Sequence, residues 1–440
     1  MNRKQFPLAA RLLTAAAALC WLTLATAPTL AQGLAPFDRD NARAMLDAVR
    51  DDLRKNYYDP SLRGMDVEAR FRAAEERLKA AQTRDQLVVT VAQVLMELND
   101  SHTFLLPPPR AARVEYGWRM KMYGDGCYVS AVRPKSHAET AGLKVGDRIL
   151  AVDGFRPTRE NMWKMYYRYY ALAPARAVRL SVQSPGADAP REVEVNTKIE
   201  KAAAVSEWRD IFVRALREEW DIDHDRFFES GTDLLVWQMP TFEVSPDHVD
   251  DIMARARNYK TLVLDLRGNG GGYQVALERL VGHLFERDLK IADLRGRKEM
   301  KPILAKTRGA GGFKGQLVVL VDADSGSASE LLARVVQLEK RGTVLGDRSA
   351  GAVMVSKHFD HQTGVGSVLY FGASVTVADV VMADGKSLEG AGVIPDEPLL
   401  PTGADLAARR DPVLARAAAL AGVKLDPEKA GALFPIQWRK

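Results

Sequence analysis

Thr261-Leu262-Val263-Leu264-Asp265-Leu266-Arg267-Gly268-Asn269-Gly270-Gly271-Gly272 is the stretch that decides the fold. A nearly unbroken apolar run leads straight into a glycine cluster. A strand that is apolar at consecutive rather than alternate positions has both faces covered, as parallel strands in α/β layers do. The flanking sequence repeats the pattern. Leu234 to Met239 reads as a strand, Val249 to Tyr259 as a helix, Gln274 to Phe285 as a helix, Gln316 to Val321 as another buried strand and Ser329 to Glu339 as a helix. Strands alternating with helices place an α/β core over residues 205–400. Residues 401–440 read as an Ala-rich helical tail.

Upstream the texture changes twice. Residues 32–113 carry helical stripes, Met45, Leu46, Val49 and Leu53 in one and Leu87, Val91, Leu95 and Leu98 in the next, which starts after a capping-type Thr83. Residues 114–198 are β-rich, with alternation over Tyr128 to Val132 and a strand entering the Asp153-Gly154 turn. A chain of 440 residues has room for two or three such units.

The first 31 residues have Arg3, Lys4 and Arg11, an apolar run from Leu12 to Ala25, and small residues up to Ala31. That order predicts a secretory signal peptide cut near Ala31. The competing reading is an uncleaved anchor, against which stand the shortness of the run and Pro28. Cleavage removes three cations and no anion, so the formal charge falls from +5 to +2. With no concentrated basic tract, nucleic acid is not an expected partner. Only Cys127 of the two cysteines remains, so no disulfide forms within the mature chain. Export without disulfides fits a bacterial envelope, periplasmic or extracellular.

Four segments carry chemistry. Ser325-Gly326-Ser327-Ala328-Ser329-Glu330 lies between a strand and a helix, where backbone N–H groups favour developing negative charge. Plain N-capping by one of the three serines is the alternative. The Gly268 to Gly272 turn offers N–H groups for an oxyanion, or is merely tight. Ser101-His102 follows a helix end, and His is the natural general base near neutral pH. Asp384 to Asp396 contains Glu389, a carboxylate able to orient such a base. No H-E-x-x-H spacing appears, and neither a metal nor a cofactor is expected.

In this order the segments resemble those of the C-terminal processing peptidase and tricorn-like serine peptidase superfamily. The resemblance spans nearly the whole mature chain. It implies a crotonase-like α/β peptidase core with a helical N-terminal segment and an inserted PDZ domain, for which Gly142 to Leu150 is the most telling match. In the Ser-Lys branch a lysine stands where this chain has Ala352, with Lys357 the nearest substitute. The resemblance is therefore closer to the Ser-His-Glu branch. It implies Ser327 as nucleophile, His102 as base, Glu389 as its orienting acid and Ser101 as helper. It also implies an oxyanion hole from Gly270 or Gly271 with Ala328. A PDZ unit implies capture of peptide C-terminal tails, with Tyr123-Gly124-Asp125-Gly126 as the carboxylate cradle. The expected partners are protein or peptide substrates, with no membrane span after signal cleavage and a homo-oligomer left open. The rival expectation is a degenerate peptidase acting as a PDZ-containing envelope adaptor.

Overall fold

The computed structural model describes residues 34–438 apart from 36, 111, 202–223 and 365–367, so the expected signal peptide lies outside the described residues. The Thr261–Asp265 strand takes a central place in a six-stranded sheet. The order is Glu397–Pro398, Thr343–Gly346, Gln316–Val321, Thr261–Asp265, Leu234–Gln238, Arg226–Ser230. All neighbours pair parallel except the last, which is antiparallel. Leu262, Leu264, Leu317 and Val319 face a layer built by the helices Pro246–Ala256, Gln274–Leu284 and Ala328–Leu338. Val263, Val318 and Leu320 point the other way, onto Val413, Leu414, Ala417 and Ala418 of the Pro412–Leu420 helix. The unbroken apolar runs are thus explained by cover on both faces. Residues after 400 are accordingly not an appended tail: their apolar stripe is the second covering layer.

A second, antiparallel sheet went unread in the sequence. Its spine is the 14-residue strand Leu369–Met382, flanked by Phe104–Leu106, Leu289–Gly296 and Met354–Thr363. Phe371, Ala373 and Val375 on that spine pack into the cluster formed by the N-terminal helices Asp38–Asn56, Val67–Ala80 and Arg84–Met96. Thr83 caps the last of these through a reciprocal box with Gln86, as its position before the stripe predicts. Because Phe104–Leu106 pairs with this sheet, the Ser101-His102 segment is carried from the helices to the core.

The β-rich unit is a five-stranded antiparallel sheet in the order Trp118–Tyr123, Gly126–Val132, Arg148–Val152, Ala177–Gln183, Arg191–Asn196, with its own apolar cluster. Its entry and exit run side by side as the antiparallel ribbon Ala112–Glu115 with Lys198–Lys201, the geometry of an insertion. Helical residues 162–172 close over the first strand; the aromatic run Tyr166, Tyr167, Tyr169 and Tyr170 hides this helix from period-based reading.

This unit is bolted to the core. The Lys121 ammonium, nearly buried, pairs with Asp322 and lies 3.1 Å from Asp324, both on the loop before Ser327. Burial works to lower the lysine's pKa, but the two carboxylates outweigh it and raise it. Ala323 between them packs on the β-rich unit's own cluster. Breaking a buried pair strands a charge, at about 3–5 kcal/mol. Lys121→Ala should therefore lower the urea midpoint by a corresponding amount; a midpoint within error of the wild type would show that the clamp contributes nothing.

Candidate active site

Burial separates the three serines of the 325–329 segment. Ser325 is fully buried; its hydroxyl donates to the Leu266 carbonyl (2.8 Å) and accepts from Asp322 N–H (2.9 Å). Ser329 is also fully buried and donates to the Asn269 carbonyl (2.9 Å). Both fasten the 325–329 loop to the segment that runs into the glycine turn. Ser327 alone is partly exposed. Its backbone has φ 52° and ψ −116°, a strained conformation for a residue with a Cβ, of order 1–3 kcal/mol. Two bonds hold it there: Ser327 N–H donates to the Ala352 carbonyl (2.9 Å) and to Glu330 Oε2 (3.1 Å).

The glycine turn lies against this elbow. A Cβ on Gly271 would stand 2.6 Å from the Ser327 Cβ, and its φ of +103° disfavours any side chain. Gly271 N–H donates to Asn269 Oδ1 (2.9 Å), so this amide is already engaged. Gly270 is exposed with open space about its Cα. Neither its N–H nor that of Ala328, the first residue of the Ala328–Leu338 helix, has a partner among the described residues.

The other expected residues form one relay. Ser101 Oγ lies 2.7 Å from His102 Nδ1 and donates to Glu389 Oε2 (2.8 Å), while Ser101 N–H donates to Glu389 Oε1 (2.9 Å). The hydroxyl has one proton and the ionised carboxylate only accepts. His102 Nδ1 therefore carries the proton, and Nε2 is left as the acceptor. Burial lowers the His102 pKa, helped by nearby His358 and opposed by Asp100, so the imidazole is neutral at pH 7. Burial raises the Glu389 pKa, with Asp100 adding to it against the Ser101 hydrogen bonds.

Asp100 is a residue that sequence reading missed. It is fully buried and accepts from Tyr57 Oη (2.8 Å), Thr376 Oγ1 (2.6 Å) and His102 N–H (2.9 Å). It anchors the His102 backbone to both the helices and the second sheet. An acid directly before Ser-His was its only signal.

One peptide group joins the two halves. The Ala352 carbonyl takes Ser327 N–H, and the N–H on the same group, Val353, donates to Glu389 Oε2 (2.9 Å). His102 and Ser327 themselves share no hydrogen bond among the described residues. Lys357 is exposed and lies on the strand face shared with Phe359 and His361, opposite His358, which lies near His102. It is not presented to Ser327 in place of the missing lysine.

Residues 233–399 match the Peptidase family S41 model, and residues 128–162 match a PDZ domain. Residues 233–399 are an S41 peptidase domain. The chain is 26% identical to the chloroplastic C-terminal processing peptidase of Tetradesmus obliquus, over 78% of this chain and 74% of that one. It is 25% identical to a carboxyl-terminal-processing protease of a Picosynechococcus strain, over 72% and 73%. The crystal structure of mature CPAF with lactacystin shares the fold at 15% identity, with a TM-score of 0.62 over 84% of this chain and 96% of that one. By family and relatives the chain is a serine-type peptidase.

The PDZ hairpin departs from expectation. Tyr123 and Gly126 close its ladder. Gly124 N–H donates to Asp347 Oδ2 of the S41 domain (2.8 Å), and the Gly124 carbonyl accepts from Arg159 Nε (2.8 Å), whose guanidinium also reaches Asp347 (2.5 Å). Asp125 sits exposed at the tip. The expected carboxylate cradle is thus filled by a carboxylate of this chain. The edge strands of this sheet are Trp118–Tyr123, where the Tyr166 hydroxyl donates to the Met120 carbonyl, and Arg191–Asn196. Among the described residues, no cluster suits a metal ion and no helix is long and apolar enough to cross a membrane.

Gly271→Ala tests the packing of the turn on the elbow. The strained φ alone costs on the order of 1–3 kcal/mol, and displacement of Ser327 should cut peptidase kcat/KM roughly tenfold or more. A variant with wild-type Tm and kcat/KM would show that the contact yields freely.

Proposed function

We propose that this chain is an exported serine endopeptidase that cleaves protein substrates through an acyl-enzyme on Ser327. The observation that carries the reading is the His102–Ser101–Glu389 relay, linked to the strained Ser327 elbow through the single peptide group at 352–353.

In this reading His102 Nε2 takes the Ser327 hydroxyl proton as Oγ attacks the scissile carbonyl. Glu389, through Ser101, stabilises the imidazolium that forms and holds its tautomer. Gly270 and Ala328 N–H groups receive the tetrahedral oxyanion, Gly271 being excluded by its bond to Asn269; the helix dipole adds to Ala328. The imidazolium then gives its proton to the leaving amine, and water releases the acyl group by the reverse sequence. Ser327 and His102 close on each other when substrate fills the site, as catalytic contacts often tighten only in the complex.

The relatives' names support carboxyl-terminal tails as the substrate class. Such a tail would add to an edge of the PDZ sheet outside the 123–126 hairpin, which is occupied. Export rests on the charge and hydropathy pattern of residues 1–31.

A fluorophosphonate should label the wild type and neither Ser327→Ala nor His102→Ala. Labelling that survives His102→Ala would overturn the base assignment; a wild type that takes no label would favour the adaptor role. The pH dependence has a definite sign. His102 must be neutral to act, and burial lowers its pKa. Titration of His102 should thus add an acid limb to activity on a peptide at a value below the ordinary imidazole range of about 6.5. A profile with no further downturn below that range would contradict the assignment.

A further inference from the structure

Beneath the elbow lies a buried acid that this mechanism does not use. Glu330, in the first turn of the Ala328–Leu338 helix, is fully buried. Its Oε1 accepts from Ser349 Oγ (2.6 Å) and Gly351 N–H (2.7 Å). Its Oε2 accepts from Ala352 N–H (2.9 Å) and Ser327 N–H (3.1 Å). Four donors from two separate segments converge on two oxygens. An anionic acceptor matches all four: a neutral amide would set its own NH2 against an N–H, and a protonated acid could place its hydroxyl only on Ser349 Oγ, at the loss of the bond that Ser349 donates.

The placement explains why a carboxylate stands where burial disfavours it. Gly351 and Ala352 N–H groups precede the peptide group whose carbonyl holds Ser327 and whose N–H holds Glu389. Fixing them fixes that group, and with it the separation of nucleophile and relay. We propose that Glu330 is a positioning residue of the peptidase, holding the 351–353 backbone so that Ser327 and the His102 relay keep a common register. This rests on the catalytic reading of Ser327 given above. Burial pushes the Glu330 pKa up to about 7 against the pull of its donors, with Ser349 first among these. Removing a donor therefore weakens the anion as well as one bond.

Glu330→Gln and Ser349→Ala separate this role from simple stability. Peptidase kcat and KM are measured beside Tm and near-UV circular dichroism. Glu330→Gln should lower kcat on the order of 100-fold, the scale of losing a preorganised polar contact at an acyl-transfer site, with KM within about twofold. Ser349→Ala keeps the carboxylate and one fewer donor, and should lower kcat roughly 3- to 10-fold while folding normally. A wild-type kcat in folded Glu330→Gln, or a loss that merely tracks the folded fraction, overturns the proposal. If Glu330→Gln does not fold, Ser349→Ala decides: folded with wild-type kcat, it overturns the proposal equally. Fluorophosphonate labelling keeps the two readings apart. An unlabelled wild type defeats the catalytic reading and this proposal with it, whereas equal labelling rates in wild type and Glu330→Gln defeat only the role of Glu330.

Discussion

The peptide group between Ala352 and Val353 is the constraint on which the site depends. Its carbonyl restrains the Ser327 amide and its N–H restrains the Glu389 carboxylate. A peptide unit is planar and rigid, so the two contacts cannot drift independently. That solves a problem of assembly. Ser327 sits on the parallel sheet, whereas His102 arrives from the helical segment on the far side of the PDZ insertion in sequence. The second sheet brings them near each other, through Phe104–Leu106 paired to Leu369–Met382, and the 352–353 group sets the final spacing.

Ala at position 352 takes on meaning in this setting. In the Ser-Lys branch, from which the sequence departs here, the resemblance implies a lysine at this position as the base. Here its backbone does the work of connection and its side chain is a methyl. The relay instead offers a half-buried imidazole, whose pKa is lowered by burial and by His358 against the pull of Asp100. The Glu389 carboxylate is held by three N–H or O–H donors and no arginine or lysine. Burial is thus the first influence on both His102 and Glu389.

Much of this was legible in the sequence, for identifiable reasons. The parallel sheet announced itself because Thr261–Leu266 and Gln316–Val321 are apolar without alternation. Ser101, His102, Ser327 and Glu389 were singled out by the order of their segments and the resemblance it carries, and Ser101, His102 and Glu389 do come together. Spacing alone leaves the serines at 325, 327 and 329 alike, since all three suit a turn; the resemblance pointed to Ser327, and burial of the other two against the glycine loop leaves it the partly exposed one. Asp100 and Glu330 escaped because a buried acid looks like any surface acid in one dimension. The PDZ hairpin misled for a related reason. Its glycines do present an N–H to a carboxylate, but the carboxylate is Asp347, 223 positions away, and no local pattern reveals a long-range contact.

The Lys121 clamp bears on how such an architecture changes over time. PDZ units lend themselves to exchange between chains as cassettes, since both ends of the insertion lie in one ribbon. Here the cassette carries the counter-ion of Asp322, a buried acid on the nucleophile loop itself. A replacement unit without a cation at that point would leave the acid unpaired a few residues from Ser327. Recombination at the ribbon is thus physically easy and energetically penalised. The insertion and the loop it touches are bound to diversify as one heritable unit.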